Sequence, residues 1–409
     1  VDERIRKRDF VINGAAIVAA DGVSRVSLPI RGGRIGSSPA VAAWQLDLRD
    51  HLVFPGLINA HDHLHVNAIP SLRADAPFAN SYEWIAAFQA HFDTLEVKAA
   101  LRVPKAVRLR HGAMKNLLAG TTFVAHHDPW DPVLDEADFP VALLRDFGWS
   151  YTLAGPAYGP PVRESFAATP SERPWMIHLA EGIDATAQAE LSKLKGLGCL
   201  ASNSVLIHGV GFDEVDVERV IAAGASVAWC PMSNLSLLGK TLDPRRLHRA
   251  GRLALGTDSR LSGARDLLEE LRGVLYRHGL GAAQLLRLVT ADAAHILREP
   301  DRGHLDAGAH ADLVIVADCG GDPVRSLVGI GRGHIRAVVR EGLPRIADPD
   351  FAEWFEMAGI ETTQVKLDGR PKLLAKSLAD EAVLAREPGI EIVAPSKQRE
   401  RAAALAESC

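Results

Sequence analysis

Through the middle of the chain, short apolar runs alternate with segments of helical period. Thr121–His127, Trp175–Leu179, Ser204–His208, Ala225–Cys230 and Arg252–Gly256 read as strands. A helix is expected from about Leu95 to Ala119, kinked or started by Pro104 and ended by Gly120. Others run from Ala185 to Leu194, from the cap Asp213 to Gly224, and from Asp243-Pro244 to Gly251. Leu267, Leu268, Leu271, Val274 and Leu275 share one face of a further helix. Strand–helix repetition of this kind predicts a parallel sheet. Residues 58–299 have the length of a closed (β/α)8 TIM barrel, typically about 250 residues.

The two ends have a different texture. Residues 9–57 read as short strands with turns at Asp21-Gly22 and Gly32-Gly33. Ala311–Val316 and His334–Arg340 repeat that texture before the turn Glu341-Gly342. The α/β barrel is therefore expected to carry a small composite β-sandwich, built from residues 1–57 with 300–345. Residues 346–409 are rich in charge, and a helix around Lys372 to Arg386 suggests a C-terminal helical tail.

Composition narrows the partners. Of 409 residues, 47% are hydrophobic and 24% charged, as in ordinary globular proteins. A formal net charge of −5 gives no reason to expect nucleic acid or an anionic membrane. Cys199, Cys230, Cys319 and Cys409 are scattered without a Cys-x-x-Cys pair, which points to a reduced, cytoplasmic setting. Val1–Phe10 is charged and lacks the apolar stretch of a signal peptide, and no apolar run is long enough to span a membrane.

The chemistry is concentrated at strand ends. In Pro55-Gly56-Leu57-Ile58-Asn59-Ala60-His61-Asp62-His63-Leu64-His65, His61 and His63 alternate by two, so a strand aims both imidazoles to one face. His178, His208 and Asp258 each close their own apolar run. Barrel active sites lie at the C-terminal ends of strands. Three imidazoles and a carboxylate suit one divalent metal, Zn²⁺ first and Fe²⁺ as the alternative. Such a metal lowers the pKa of bound water from about 15.7 to about 7, on the order of 12 kcal/mol of activation. Glu181, three residues after His178, is placed for general acid/base duty on a poor leaving group. His208 is free to polarise the attacked group, and Asp258 to orient the water and take its proton. His65, Trp84, His126, Ser233 and Asn234 are candidates to meet substrate; Ser233 and Asn234 alternatively cap a turn, and Trp84 alternatively packs. Trp130 and Tyr158 are further stacking candidates, and Arg260 is either ion-paired or aimed at an anionic substrate.

These stretches, with Gly120-Thr121-Thr122-Phe123-Val124, His178-Leu179-Ala180-Glu181, His208-Gly209, Cys230-Pro231-Met232-Ser233-Asn234-Leu235 and Gly256-Thr257-Asp258-Ser259, run in the order seen in a known family. Over residues 9–342 the chain resembles the amidohydrolase superfamily, in its cytosine deaminase and chlorohydrolase-like branch. The resemblance implies that His61, His63, His178 and Asp258 hold one metal, with Glu181 and His208 catalytic. It implies a metal-dependent aminohydrolase that attacks an amino-substituted heterocycle and releases ammonia, commonly as a homo-oligomer. Cyclic amide hydrolysis or halide displacement in the same site is the alternative, and a silent scaffold is a third. The region from Trp149 to Pro156 has no lysine to bridge a second metal, and Ala125-His126-His127-Asp128 departs from the family pattern by two added imidazoles.

Overall fold

The computed structural model describes residues 9–19, 22–38, 44–72, 75–153 and 158–393. Expectations that rest on residues 1–8, on Asp21, on residues 154–156 and on Cys409 lie outside them.

Eight short strands form the barrel wall: β1 (Leu57–Asp62), β2 (Thr121–His126), β3 (Ala142–Leu143), β4 (Gly148–Trp149), β5 (Trp175–Leu179), β6 (Ser204–His208), β7 (Ser226–Trp229) and β8 (Leu253–Leu255). β1, β2 and β3 pair in parallel, as do β4 through β8. A parallel bridge between Asp62 and Asp258 joins the first arc to the last. Every residue of β1, β2, β5 and β6 is buried, as parallel strands covered on both faces require.

Strict strand–helix alternation fails at one point. Only residues 144–147 separate β3 from β4, whereas a parallel crossover needs about a dozen. No helix lies between them in the chain, and β4 is covered instead by the helix Val162–Ala168, which follows it. Asp146 turns the chain with φ 54, and Gly148 leaves room for Thr169 and Trp175, which a Cβ there would strike. The expected long helix is also split. Leu95–Leu101 ends before Pro104, which cannot donate to a preceding turn, and Lys105–Leu118 begins after it. Among the described residues no helix is long and apolar enough to cross a membrane.

Both ends of the chain build two further sheets. A four-stranded sheet joins Arg34–Ile35, Leu28–Arg31, Phe10–Asn13 and Trp44–Asp47. A nine-stranded sheet runs Ile390–Ile392, Thr362–Leu367, Arg370–Ala375, Leu343–Ala347, Ile335–Arg340, Leu313–Ala317, His51–Pro55, Ala16–Ala19 and Gly22–Ser24.

The expected helical tail is thus corrected. Residues 362–375 form a β-hairpin that extends the sheet, and helix is confined to short pieces such as Ala352–Ala358 and Glu381–Leu384. The hairpin turn is Asp368-Gly369, with φ of 49 and 80, the left-handed pair that Asp-Gly supplies at low cost. Charge density hid the alternation that buries Val365 and Leu367 beneath exposed Gln364 and Lys366.

The tail also reaches the barrel. Buried Glu387 accepts from Arg260 Nη1 and Nη2 at 2.8 Å each, from His111 Nε2 at 2.9 Å, and from Arg332. Arg260 follows Asp258 by two residues, so the loop bearing that carboxylate is clamped by the tail. Its side chain faces Glu387 rather than open solvent.

Candidate metal centre and active site

Backbone geometry delivers the polar residues to one end of the barrel. β1 closes at Asp62, and His63 lies just beyond it with φ −103 and ψ 81. Alternation turns Asp62 away from the two imidazoles. It meets Lys115 Nζ at 3.0 Å and Asn116 Nδ2 at 2.7 Å inside a fully buried network that also holds Asn59, Asn67 and Thr257. That network anchors the strand end against the Lys105–Leu118 helix. β5, β6 and β8 are followed or ended by Ala180, His208 and Asp258, with φ of 52, 77 and 57. Three non-glycine residues in the left-handed region at one end of a barrel are strained turns that aim side chains inward.

His61 is fully buried, and neither ring nitrogen has a hydrogen-bond partner among the described residues. An unpaired buried imidazole is costly. His63 Nε2 faces His178 Nε2 at 3.2 Å. Two such nitrogens cannot meet lone pair to lone pair without a proton or a cation between them. The separation is close to the roughly 3.4 Å edge of a tetrahedral site with bonds of about 2.1 Å. Asp258 Oδ1 lies 3.8 Å from His61 Nε2 and 3.7 Å from His63 Nε2.

The outer nitrogens are held. His63 Nδ1 contacts Asp128 Oδ2 at 2.8 Å, and His178 Nδ1 donates to the Tyr151 carbonyl at 2.9 Å. Each arrangement turns Nε2 inward, the usual support of a metal-binding imidazole. The donor set fits a divalent cation. Its ligand atoms form two overlapping groups within 4.8 Å, His61/His63/Asp258 and His61/His127/His178, and a separate group is His65/His126/Asp128.

Electrostatics follow from burial. Desolvation and neighbouring imidazoles hold His61 and His178 well below the usual histidine range. Burial opposes charge on His63 too, but Asp128 outweighs it and lifts its pKa to about 9. Burial raises the Glu181 carboxyl to about 7, against the pull of His208. Trp84 Nε1 donates to Glu181 Oε1 at 2.8 Å, and His208 Nε2 lies 3.6 Å from Oε2. His208 Nδ1 donates to Asn234 Oδ1 at 2.7 Å, which fixes the ring. Asp258 Oδ2 accepts from Ser233 Oγ at 2.7 Å and Ser262 Oγ at 3.0 Å.

A cavity of about 400 Å³ opens over this cluster. His63, His178, His208 and Asp258 form its polar floor, and Trp84, Ile85, Phe88 and Phe92 an apolar wall. His65 lines it, as does Tyr158, whose hydroxyl donates to Asp128 Oδ1 at 2.8 Å.

Three substrate candidates do not face the cavity. Ser233 and Asn234 are 1% exposed on the helix Pro231–Leu238 and hold Asp258 and His208. His126 is buried, its Nδ1 accepting from the Leu64 amide at 3.3 Å. Trp130 is also elsewhere, exposed and bonded to Asp135.

Residue-by-residue reading weighed His127 only as packing or a substrate contact, and gave Asp128 and Tyr151 no role. The run His126-His127-Asp128 was visible. A regular strand, however, turns His127 away from His126, and nothing in the sequence shows that this direction leads to His61. Tyr151 acts through its carbonyl, which carries no sequence signal.

The amidohydrolase family model matches residues 162–364. A 5-methylthioadenosine/S-adenosylhomocysteine deaminase of Nitratidesulfovibrio vulgaris is 24% identical over 376 residues, 75% of this chain and 83% of the relative. An 8-oxoguanine deaminase of Pseudomonas aeruginosa is 25% identical over 393 residues, 75% of this chain and 85% of the relative. In fold, a zinc-bound adenosine deaminase from Xanthomonas campestris superposes with TM-score 0.65 at 21% identity, covering 86% of this chain and 97% of that one. An atrazine chlorohydrolase variant from Arthrobacter aurescens, solved with zinc and atraton, gives 0.68 at 18% identity, covering 85% and 100%. Over residues 162–364 the chain is thus similar to the amidohydrolase family, and the deaminases named above are similar to it over three quarters of its length.

Proposed function

We propose that this protein is a metal-dependent aminohydrolase that attacks an amino-substituted heterocycle and releases ammonia. The observation that carries the reading is Glu181. It is a buried carboxyl raised to about 7, placed beside His208 at the edge of an imidazole–carboxylate cluster that opens into a cavity.

His61, His63, His178 and Asp258 would hold the cation, zinc first and iron as the alternative. When bound there, the cation supplies Lewis-acid activation of water at neutral pH. Asp258, fixed by Ser233 and Ser262, orients the attacking water and accepts its proton. Glu181, about half protonated near neutral pH and more so below it, delivers a proton to the departing nitrogen. Trp84 holds one carboxyl oxygen so that the other stays toward His208. His208, fixed by Asn234, presents Nε2 to the group under attack.

The wall of Trp84, Phe88 and Phe92 favours a flat ring bearing an apolar substituent. The lining includes no Lys or Arg, which argues against a phosphorylated substrate. The relatives named as deaminases of 5-methylthioadenosine/S-adenosylhomocysteine and of 8-oxoguanine support attack on an exocyclic amine. In this reading residues 58–299 carry the reaction, in a cytoplasmic homo-oligomer. The described residues of 9–57 and 300–393 support it from outside.

The test joins metal analysis to an ammonia-release screen over purines, pyrimidines, triazines and pterins. Ammonia from a folded, metal-containing preparation is the expected result. Silence across the panel would overturn the reading, and a ring-opened acid or halide would redirect it to the alternative chemistry.

A further inference from the structure

We propose that His127 is an additional metal ligand, binding through Nδ1 alongside His61 and His178. The inference rests on the metal reading above and extends it by one donor.

His127 is fully buried at the end of β2. Its Nε2 contacts the Ser150 carbonyl oxygen at 3.1 Å. A carbonyl only accepts, so Nε2 carries the proton and Nδ1 keeps its lone pair. That Nδ1 is buried and has no hydrogen-bond partner among the described residues. A histidine serving only as packing would be expected to satisfy both nitrogens. Here one is satisfied and the other is aimed where His61 and His178 also place theirs, within 4.8 Å of one another.

The support of His127 parallels that of His178. The carbonyls of consecutive residues, Ser150 and Tyr151, receive the outer N–H of His127 and His178 respectively. The two rings stack at 4.7 Å with 18° between planes. One backbone segment after β4 therefore orients two imidazoles in the same way, and this is the kind of outer support that metal-binding histidines use.

A substrate role does not fit. The cavity is lined by His63, His178, His208 and Asp258, but neither His61 nor His127 reaches it. Neither ring is presented to a molecule bound in the cavity. An unpaired lone pair in that position meets the ion rather than the substrate. The proposed donors would then be four imidazoles and one carboxylate.

The test measures metal rather than turnover. Wild-type and His127→Ala proteins are loaded with Zn²⁺, freed of excess, and challenged with a chromogenic chelator. We expect zinc to leave His127→Ala at least about tenfold faster, with circular dichroism unchanged. Release at the wild-type rate from a folded variant would overturn the proposal. Should that variant fail to fold, zinc-edge X-ray absorption on the wild-type protein decides. A first shell fitting four imidazoles supports His127, and one fitting three rules it out. Absence of stoichiometric metal in the wild type would instead sink the parent reading. Metal retained without His127 sinks this inference alone.

Discussion

Replacing Glu181 by glutamine should stabilise this protein at alkaline pH while abolishing its activity. The carboxyl is 3% exposed and its pKa rises from 4.5 to about 7, chiefly through burial. A group whose folded pKa exceeds its unfolded one favours the fold while protonated. Stability is therefore fully present below about pH 4.5 and declines as pH rises through about 7. The shift of about 2.5 units, at about 1.36 kcal/mol each, is a penalty on the order of 3 kcal/mol at pH 8.

Glutamine keeps the oxygen that accepts from Trp84 Nε1 and never ionises. Urea denaturation of metal-free protein at pH 8 should show the variant more stable by up to about 3 kcal/mol, with the gain vanishing near pH 4. In the loaded enzyme, loss of the proton donor should lower kcat/KM by about 10²–10⁴. The wild-type fall in kcat/KM above about pH 7 should disappear with it. A variant that keeps more than a tenth of wild-type activity, or that is less stable at pH 8, would refute the reasoning.

Other outcomes follow from the same geometry. Chelation should abolish activity and lower Tm, because it returns His61 to a buried, unpaired state, and added Zn²⁺ or Fe²⁺ should restore both. Lys115→Met leaves Asp62 charged and buried without its ion-pair partner, and denaturant midpoints should report a loss of about 3–5 kcal/mol. Glu387 is held well below its ordinary pKa by His111, Arg260 and Arg332, against the opposing effect of burial. Its contribution is present above about pH 4.5 and is lost as pH falls further, so Glu387→Gln should flatten the acid limb of a Tm-versus-pH curve. Phe88→Ala removes part of the cavity wall and should lower kcat/KM about tenfold for substrates with an apolar substituent, with less effect on unsubstituted rings.

Much of the site is legible along the chain because strand ends are local events. An apolar run that stops at His178, His208 or Asp258 marks both the strand and its terminus, and Glu181 follows at a distance set by a short turn. His61 and His63 announce their shared direction by alternation. The Asp368-Gly369 hairpin was equally local, and it was hidden by a charged composition that describes only the exposed face of its strands.

Convergence is a different matter. The sequence by itself determined which residues stand at strand ends and which face of each strand is apolar. Only the tertiary structure decided that β3 passes to β4 without a helix, that His127 meets His61 and His178, that Asp128 supports His63, and that Glu387 clamps the loop after Asp258. Periodicity fixes a side chain's direction relative to its own backbone. The curvature of the closed barrel fixes where those directions intersect, and that depends on contacts between residues far apart in the chain.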